Sequence, residues 1–301
     1  MAAASPPVEV HAERPTPALG ARVHRWVDRW LLPIYVVGVV LYLILPVVVM
    51  IIFSFNDPVG RSNLTWRGFS IDAWLNPLGR PGLPDAVRNS IIVAFISTII
   101  ATILGTLIAL ALVRYQFRGR SATNLLIFLP MSTPEIVLGA SLLTTFIAST
   151  SLGFIPEGAV FPLSIRTIII AHIMFNISFV VVTVKARLSG FPRHLEEAAM
   201  DLFANEWVTF WKVTFPLILP GIMAAGLLAF SLSIDDYVIT SFTAGQTQTF
   251  PLFIYGSQLR GIPVQVNVIG TMIFGIAVGL VLLTTLWQRR VASRDYNASL
   301  K

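Results

Sequence analysis

Apolar residues along this chain come in long runs rather than in alternation. Six stretches, 31–53, 90–113, 125–148, 165–184, 217–239 and 268–287, are dominated by Leu, Ile, Val, Ala and Phe. Each is long enough to cross a hydrocarbon core of about 30 Å, which takes about 20 helical residues. The connections range from about a dozen to more than thirty residues, and one of the longer ones holds a polar stretch, about 188–216, in mid-chain. The pattern predicts an all-α membrane protein with six transmembrane helices. Proline, glycine and polar residues within the runs are compatible with this, because neighbouring helices satisfy the freed backbone groups.

Composition agrees. Of 301 residues, 55% are hydrophobic and 12% charged, about half the charged share of a soluble domain. The formal net charge of +6 raises the question of nucleic acid, but the basic residues flank apolar runs and form no phosphate-binding stripe. They read as topology determinants, and no nucleic-acid partner is expected. Arg14, Arg22, Arg25 and Arg29 lie before the first run, and Arg114, Arg118 and Arg120 after the second. Lys185, Arg187, Arg193 and Lys212 lie between the fourth and fifth, and Arg289, Arg290, Arg294 and Lys301 after the sixth. Only Arg61, Arg67, Arg80, Arg88, Arg166 and Arg260 fall on the other side. The positive-inside rule then places both termini and the long loop in the cytoplasm.

The chain reads as one membrane domain, 31–290, with the loop 188–216 inside it. A Pro-rich cytoplasmic tail (1–30), expected to be disordered, precedes it, and a short cytoplasmic tail (291–301) follows. The first run is too long for a cleaved signal peptide and no small-x-small site follows it. There are no cysteines, which removes disulfides and thiolate chemistry. The histidines, His11, His24, His172 and His194, are scattered, so no metal centre, bound cofactor or catalytic residue is expected. Ala101, Gly105 and Ala109, and Gly275 with Gly279, form small-residue stripes of the kind that let membrane helices approach. Trp66, Phe69 and Trp74 suit the outer interface.

The long loop predicts two short helices. Pro192 suits a first turn, Glu196 and Glu197 complement the positive helix end, and Leu195, Ala198, Ala199 and Leu202 recur at helical spacing as an apolar face. A second helix runs from Glu206 to about Thr214, carries Trp207, Phe210 and Trp211, and ends near Pro216. One reading is an amphipathic hairpin on the lipid surface. The mixed charge of Glu196, Glu197, Asp201, Glu206, Arg193 and Lys212 favours docking to a protein instead.

The residues Glu197-Ala198-Ala199, then Phe203, then Val213, Phe215 and Pro216 resemble the loop of permease subunits of binding-protein-dependent ABC importers. That pattern is Glu-Ala-Ala, three residues, Gly, nine residues, Ile-x-Leu-Pro. Phe203 stands where glycine is expected, and a left-handed turn there costs Phe about 1 kcal/mol or more. Two outcomes stay open: the turn shifts to Asn205, or Phe203 serves as a hydrophobic knob. The resemblance implies that Glu197, Ala198, Ala199, Asp201, Leu202, Phe203 and Ala204 engage a cytoplasmic ATPase. None of the three lysines lies in a phosphate-binding loop, so ATP and Mg belong to that partner and this chain is no enzyme.

Four further segments resemble the shorter, second permease of putrescine/spermidine transporters: Ala86-Val87-Arg88-Asn89-Ser90; Thr133-Pro134-Glu135-Ile136-Val137-Leu138-Gly139; His172-Ile173-Met174-Phe175-Asn176; and Ser231 to Val238 followed by Ser241-Phe242-Thr243-Ala244-Gly245. The resemblance implies the type I importer permease fold in the bacterial inner membrane, two copies of an ATPase, a homologous second permease and an extracytoplasmic binding protein. Glu135, Asp235 and Asp236 are expensive in lipid, about 2.5–3.5 kcal/mol each, and mark a path suited to a polycation. His172 and Asn176 are candidates to join them. A carboxylate of the Asp pair also has bland uses: capping a short helix, or pairing with Arg260. The runner-up is an importer permease for ferric iron or another organic cation. A self-contained secondary transporter would call for an internal repeat, and none is visible.

Overall fold

The computed structural model describes residues 19–60, 62–151, 163–279 and 282. Among them the only extended pairing is an isolated bridge between Asn56 and Phe69; everything else is helix or connection. The chain divides into two compact units, Asn56–Ile269 and the stretches that flank it.

In the flanking unit, α1 (Leu19–Phe53) starts well before residue 31. Its stretch Trp30–Phe53 is apolar enough to span a membrane, and among the described residues its side chains are exposed or half-buried. Helix α12 (Val264–Gly279), whose first residues belong to the larger unit, opens the sixth predicted run earlier than residue 268; of the rest of that run only residue 282 is described, and 1–18 and 283–301 lie outside the described residues. No described atom lies within 4 Å of where a Cβ would stand on Gly275 or Gly279, so that stripe mediates no close approach here.

The larger unit holds the core. A short helix, α2 (Asp72–Leu75), sits in the first loop, which Asn56 organises. Its side chain bonds Asn63 Oδ1 (2.6 Å) and the Thr65 carbonyl (2.8 Å), and accepts from the Arg67 amide (2.8 Å). Trp66 and Phe69 are exposed. Helix α3 (Leu83–Arg114) begins at Leu83 rather than Ser90. Gly82, Pro84 and Asp85 supply its start: a left-handed turn, a proline in the first turn and a carboxylate at the positive end. Helices α3, α6 (Ile165–Ser189) and α9 (Phe215–Ile234) share a core of Ala109, Leu112, Val180, Val184, Ile218 and Ala225. The stripe on α3 explains the tight fit. A Cβ on Gly105 would stand 2.6 Å from Val180 Cγ1, and Ala101 and Ala109 are fully buried.

Two predicted spans are not single helices. The third is α4 (Arg120–Ser132) and α5 (Glu135–Ser151), bent by 109° between them. Thr133 precedes Pro134 and takes the extended backbone (ψ 133°) that the proline ring imposes on its predecessor. The fifth stops at Ile234 instead of Ile239, and α10 (Val238–Thr243) follows as a separate short helix. Helix α11 (Phe250–Gln258) then packs Phe250 against Leu83, Val266 and Ile269.

The long loop forms α7 (His194–Asp201) and α8 (Glu206–Thr209). The second helix does not end near Pro216. It continues through a π-helical turn, Phe210–Thr214, straight into α9. The wider turn, closed by Phe215 N–H to Phe210 O, accommodates a chain whose next residue, Pro216, has no N–H to give.

Candidate functional site

Two groups of side chains stand out, one at each of the places where sequence pattern predicts chemistry.

The first is the α7–α8 hairpin. Adjacent helical residues point about 100° apart, so Glu196 and Glu197 cannot share a face. Glu196 turns inward and is 9% exposed. Its carboxylate accepts from the Arg114 guanidinium, at the last turn of α3, and from Thr214 Oγ1 in the π turn. Arg193 adds a long bond to the Val113 carbonyl (3.5 Å). These contacts floor a cleft of about 280 Å³ between the hairpin and the ends of α3 and α6. Sequence reading placed Glu196 with Glu197 and counted Arg114 only as a topology determinant. The one-residue offset was the signal that just one of the two glutamates faces out.

Glu197, Ala198, Asp201, Leu202 and Phe203 are exposed, and Ala199 and Ala204 are half-buried. The expected apolar face therefore points outward, with Leu202 81% and Phe203 100% exposed. The turn does not move to Asn205. Phe203 itself takes φ +66°, the only non-glycine among the described residues with positive φ. Around it, Ala204 N–H bonds Ala199 O (3.1 Å) and Phe203 N–H bonds Met200 O (2.9 Å), the paired closure of a Schellman motif. Asn205 instead caps α8, its Oδ1 accepting from Val208 N–H (2.8 Å). A phenylalanine held in this conformation costs about 1–2 kcal/mol, and among the described residues none shelters its ring.

The second group surrounds the break between α9 and α10. His172 and Asn176 lie one turn apart on α6, so both face the same neighbour. His172 Nε2 is 2.9 Å from Thr240 Oγ1 and 3.3 Å from Asp236 Oδ2. Asp236 also accepts from the amide and hydroxyl of Thr240 (2.8 Å each) and from the Ile239 amide (3.4 Å). It thus caps α10, as one of its bland readings has it, and does not pair with Arg260. One turn away, Asn176 Nδ2 donates to Ser233 Oγ (2.6 Å), which lies 3.1 Å from Ser97 Oγ on α3. Asn176 is fully buried, and its Oδ1 has no partner among the described residues.

Structure brings His172, Asn176 and Asp236 together but leaves Glu135 and Asp235 outside that cluster. Both of these are exposed, each beside a helix break: Glu135 opens α5, and Asp235 ends α9. The helices that follow the two breaks pack together at Gly139 of α5, where a Cβ would stand 2.5 Å from the Phe242 ring of α10. Far along α3, Ser90 Oγ accepts from the Phe250 amide (2.9 Å) and Asn89 donates to the Gln248 carbonyl (2.9 Å).

The family described as binding-protein-dependent transport system inner membrane component matches residues 101–294. Over 251 residues the chain is 35% identical to the spermidine/putrescine transport system permease protein PotC of Haemophilus influenzae, covering 83% of this chain and 93% of that one. It is 34% identical over 255 residues to the putrescine transport system permease protein PotI of Escherichia coli K12, covering 84% and 88%. Two crystal structures of a bacterial alginate ABC transporter, one with a ligand-bound periplasmic protein, share the fold at 20% identity. Their TM-scores are 0.65 and 0.63, with 89% and 88% of this chain and 99% and 95% of those chains covered.

Proposed function

This chain belongs to the family of binding-protein-dependent transport system inner membrane components, and we propose that it forms half of a polyamine translocation path. It is a multi-pass membrane subunit of an ABC importer, not an enzyme. ATP and Mg are held by a separate ATPase, present in two copies. A homologous second permease completes the path, and an extracytoplasmic binding protein delivers the substrate. Both termini and the α7–α8 hairpin face the cytoplasm of a bacterial cell, and lipid surrounds the spans.

The observation that carries the substrate is a pair of helix breaks, each bearing an exposed carboxylate, Glu135 and Asp235, and leading into helices that pack on one another at Gly139 and Phe242. Carboxylates at membrane depth persist only where they face a wet cavity or a partner. A polyamine is a flexible chain of ammonium groups, each of which gains from a carboxylate and from acceptors such as Asn176 Oδ1, which has no partner among the described residues. His172 and Thr240 hold Asp236 in place, so its charge reaches the path through the position of α10. The named relatives, one for spermidine/putrescine and one for putrescine, support the same substrate class.

Coupling runs through the hairpin. Glu197, Ala198, Ala199, Asp201, Leu202, Phe203 and Ala204 present the surface that enters the ATPase, with Phe203 as its apolar knob. When ATP binding draws the ATPases together, α7 moves with them. The bonds from Glu196 to Arg114 and Thr214 pass that motion to the ends of α3 and α9.

Uptake of labelled putrescine and spermidine into proteoliposomes holding the complete complex tests the reading. Wild-type uptake should need ATP and the binding protein, and Glu135→Gln should lower it at least about tenfold, the loss of one charge-assisted bond. ATP-driven uptake of another solute, with none of polyamines, would keep the importer and remove this substrate.

A further inference from the structure

At the end of α3 remote from the hairpin, the chain builds a cleft whose charge does not suit the cargo. With 32 residues, α3 is about 48 Å long. Arg114 meets Glu196 at one end, and Arg80 precedes the first turn at the other. Arg80 and Arg260 line a common cleft of about 520 Å³, together with Gln248 and Ser257, and no carboxylate is among its walls. Gly82 (φ +80°) and Gly261 (φ +99°) turn the chain just after each arginine, a conformation that glycine alone adopts freely. Arg80 spends its Nε on Gln265 Oε1 (3.4 Å). Neither guanidinium pairs with an acidic group among the described residues.

Arginines are scarce on this side of the protein, as the positive-inside rule requires, so two facing one cleft call for an explanation. They cannot serve the substrate: unpaired guanidiniums repel a polycation over about 8 Å at physiological salt. What they suit is a planar anion, and a carboxylate accepts from the forked guanidinium in bidentate fashion. The molecule that must meet this outer face in an importer of this kind is the binding protein.

We propose that Arg80 and Arg260 form a socket for a carboxylate on the extracytoplasmic binding protein, which fixes its register over the path and cancels charge that would otherwise oppose the cargo. This rests on the importer reading above. The charge complementarity makes docking productive: the socket becomes permissive to a cation only when the binding protein fills it.

The test is the affinity of the system's own binding protein for the complete transporter in nanodiscs of neutral lipid, measured for wild type, R80E/R260E and R80Q/R260Q. Charge reversal should weaken binding at least about tenfold and neutralisation by less, since a repulsive pair replaces an attractive one. Wild-type affinity should also fall between roughly 50 and 300 mM salt, more steeply than that of the Gln variant. Should the reversed protein not assemble, the Gln variant and the salt slope decide alone. Equal affinities in all three, or a defect seen only when anionic lipid is added, would overturn the socket and leave the importer intact. A wild-type transporter that never binds the protein would sink the importer reading itself.

Discussion

Glu196 and Arg114 are bonded across 82 residues of chain, the carboxylate on the hairpin and the guanidinium at the last turn of α3. A helix that merely lay against a partner would need no such anchor. Here the inward face is bonded to the ends of two long apolar helices, and the outward face shows Leu202 and Phe203 beside Glu197 and Asp201.

The anchor predicts uncoupling. Replacing Glu196 by Ala leaves Arg114 and Thr214 without their shared acceptor and should cost about 2 kcal/mol of stability. Glu196→Gln, which keeps the shape, should cost less. In both variants the complex should still hydrolyse ATP while uptake falls. Measuring hydrolysis and uptake on one preparation checks this; equal loss of both, or of neither, contradicts a transmitting role.

Phe203 predicts a trade between stability and assembly. Phe203→Gly removes left-handed strain and should stabilise the isolated subunit by about 1 kcal/mol, while weakening its capture of the ATPase. Phe203→Ala keeps the strain and loses the ring, so it should weaken capture without the gain. Thermal unfolding and ATPase co-purification separate the two effects. A glycine variant that holds the ATPase as firmly as wild type would mean the ring is no anchor.

The clasp on α10 predicts strong coupling between two side chains. His172→Ala takes one partner from Asp236, which keeps its bonds from Thr240, and should cost about 1–3 kcal/mol. A double-mutant cycle with Asp236→Ala should return an interaction energy above about 1 kcal/mol, read from thermal unfolding in detergent. Additive effects would mean that the contact contributes nothing of its own.

Packing at Gly105 is testable by volume. Gly105→Leu drives a side chain into Val180 and should destabilise by about 1–3 kcal/mol. Val180→Ala in the same protein should recover part of the loss. Failure of the rescue would place the clash elsewhere, for instance at the Ile177 carbonyl, 3.3 Å from the added Cβ.

Much of this was legible from residue pattern, because lipid leaves so few choices. Continuous apolar runs force helices, and the Glu197 to Pro216 spacing marks the hairpin. Hydropathy is blind to continuity, however: the runs across Thr133–Pro134 and Ile234–Asp235 are apolar enough to cross, yet both break. The local signals were a residue ahead of proline and a pair of adjacent carboxylates that cannot both be sheltered along one helix. Glu196 was harder. Nothing local separates it from Glu197, since both complement the same helix end, and the choice depends on where Arg114 arrives. Phe203 shows the opposite case, in which a chain keeps the backbone shape of a glycine without the glycine. The socket formed by Arg80 and Arg260 was invisible as such, since two residues 180 apart meet only through α3 and α11.

The most direct measurement counts spermidine accumulated per ATP hydrolysed, in the same proteoliposomes, for wild type, Glu135→Gln and Glu196→Gln. The account predicts accumulation in wild type only with ATP and binding protein, loss of both activities' link in Glu196→Gln, and loss of uptake in Glu135→Gln. Accumulation by wild type without ATP, or ATP-driven transport that ignores polyamines altogether, would contradict it.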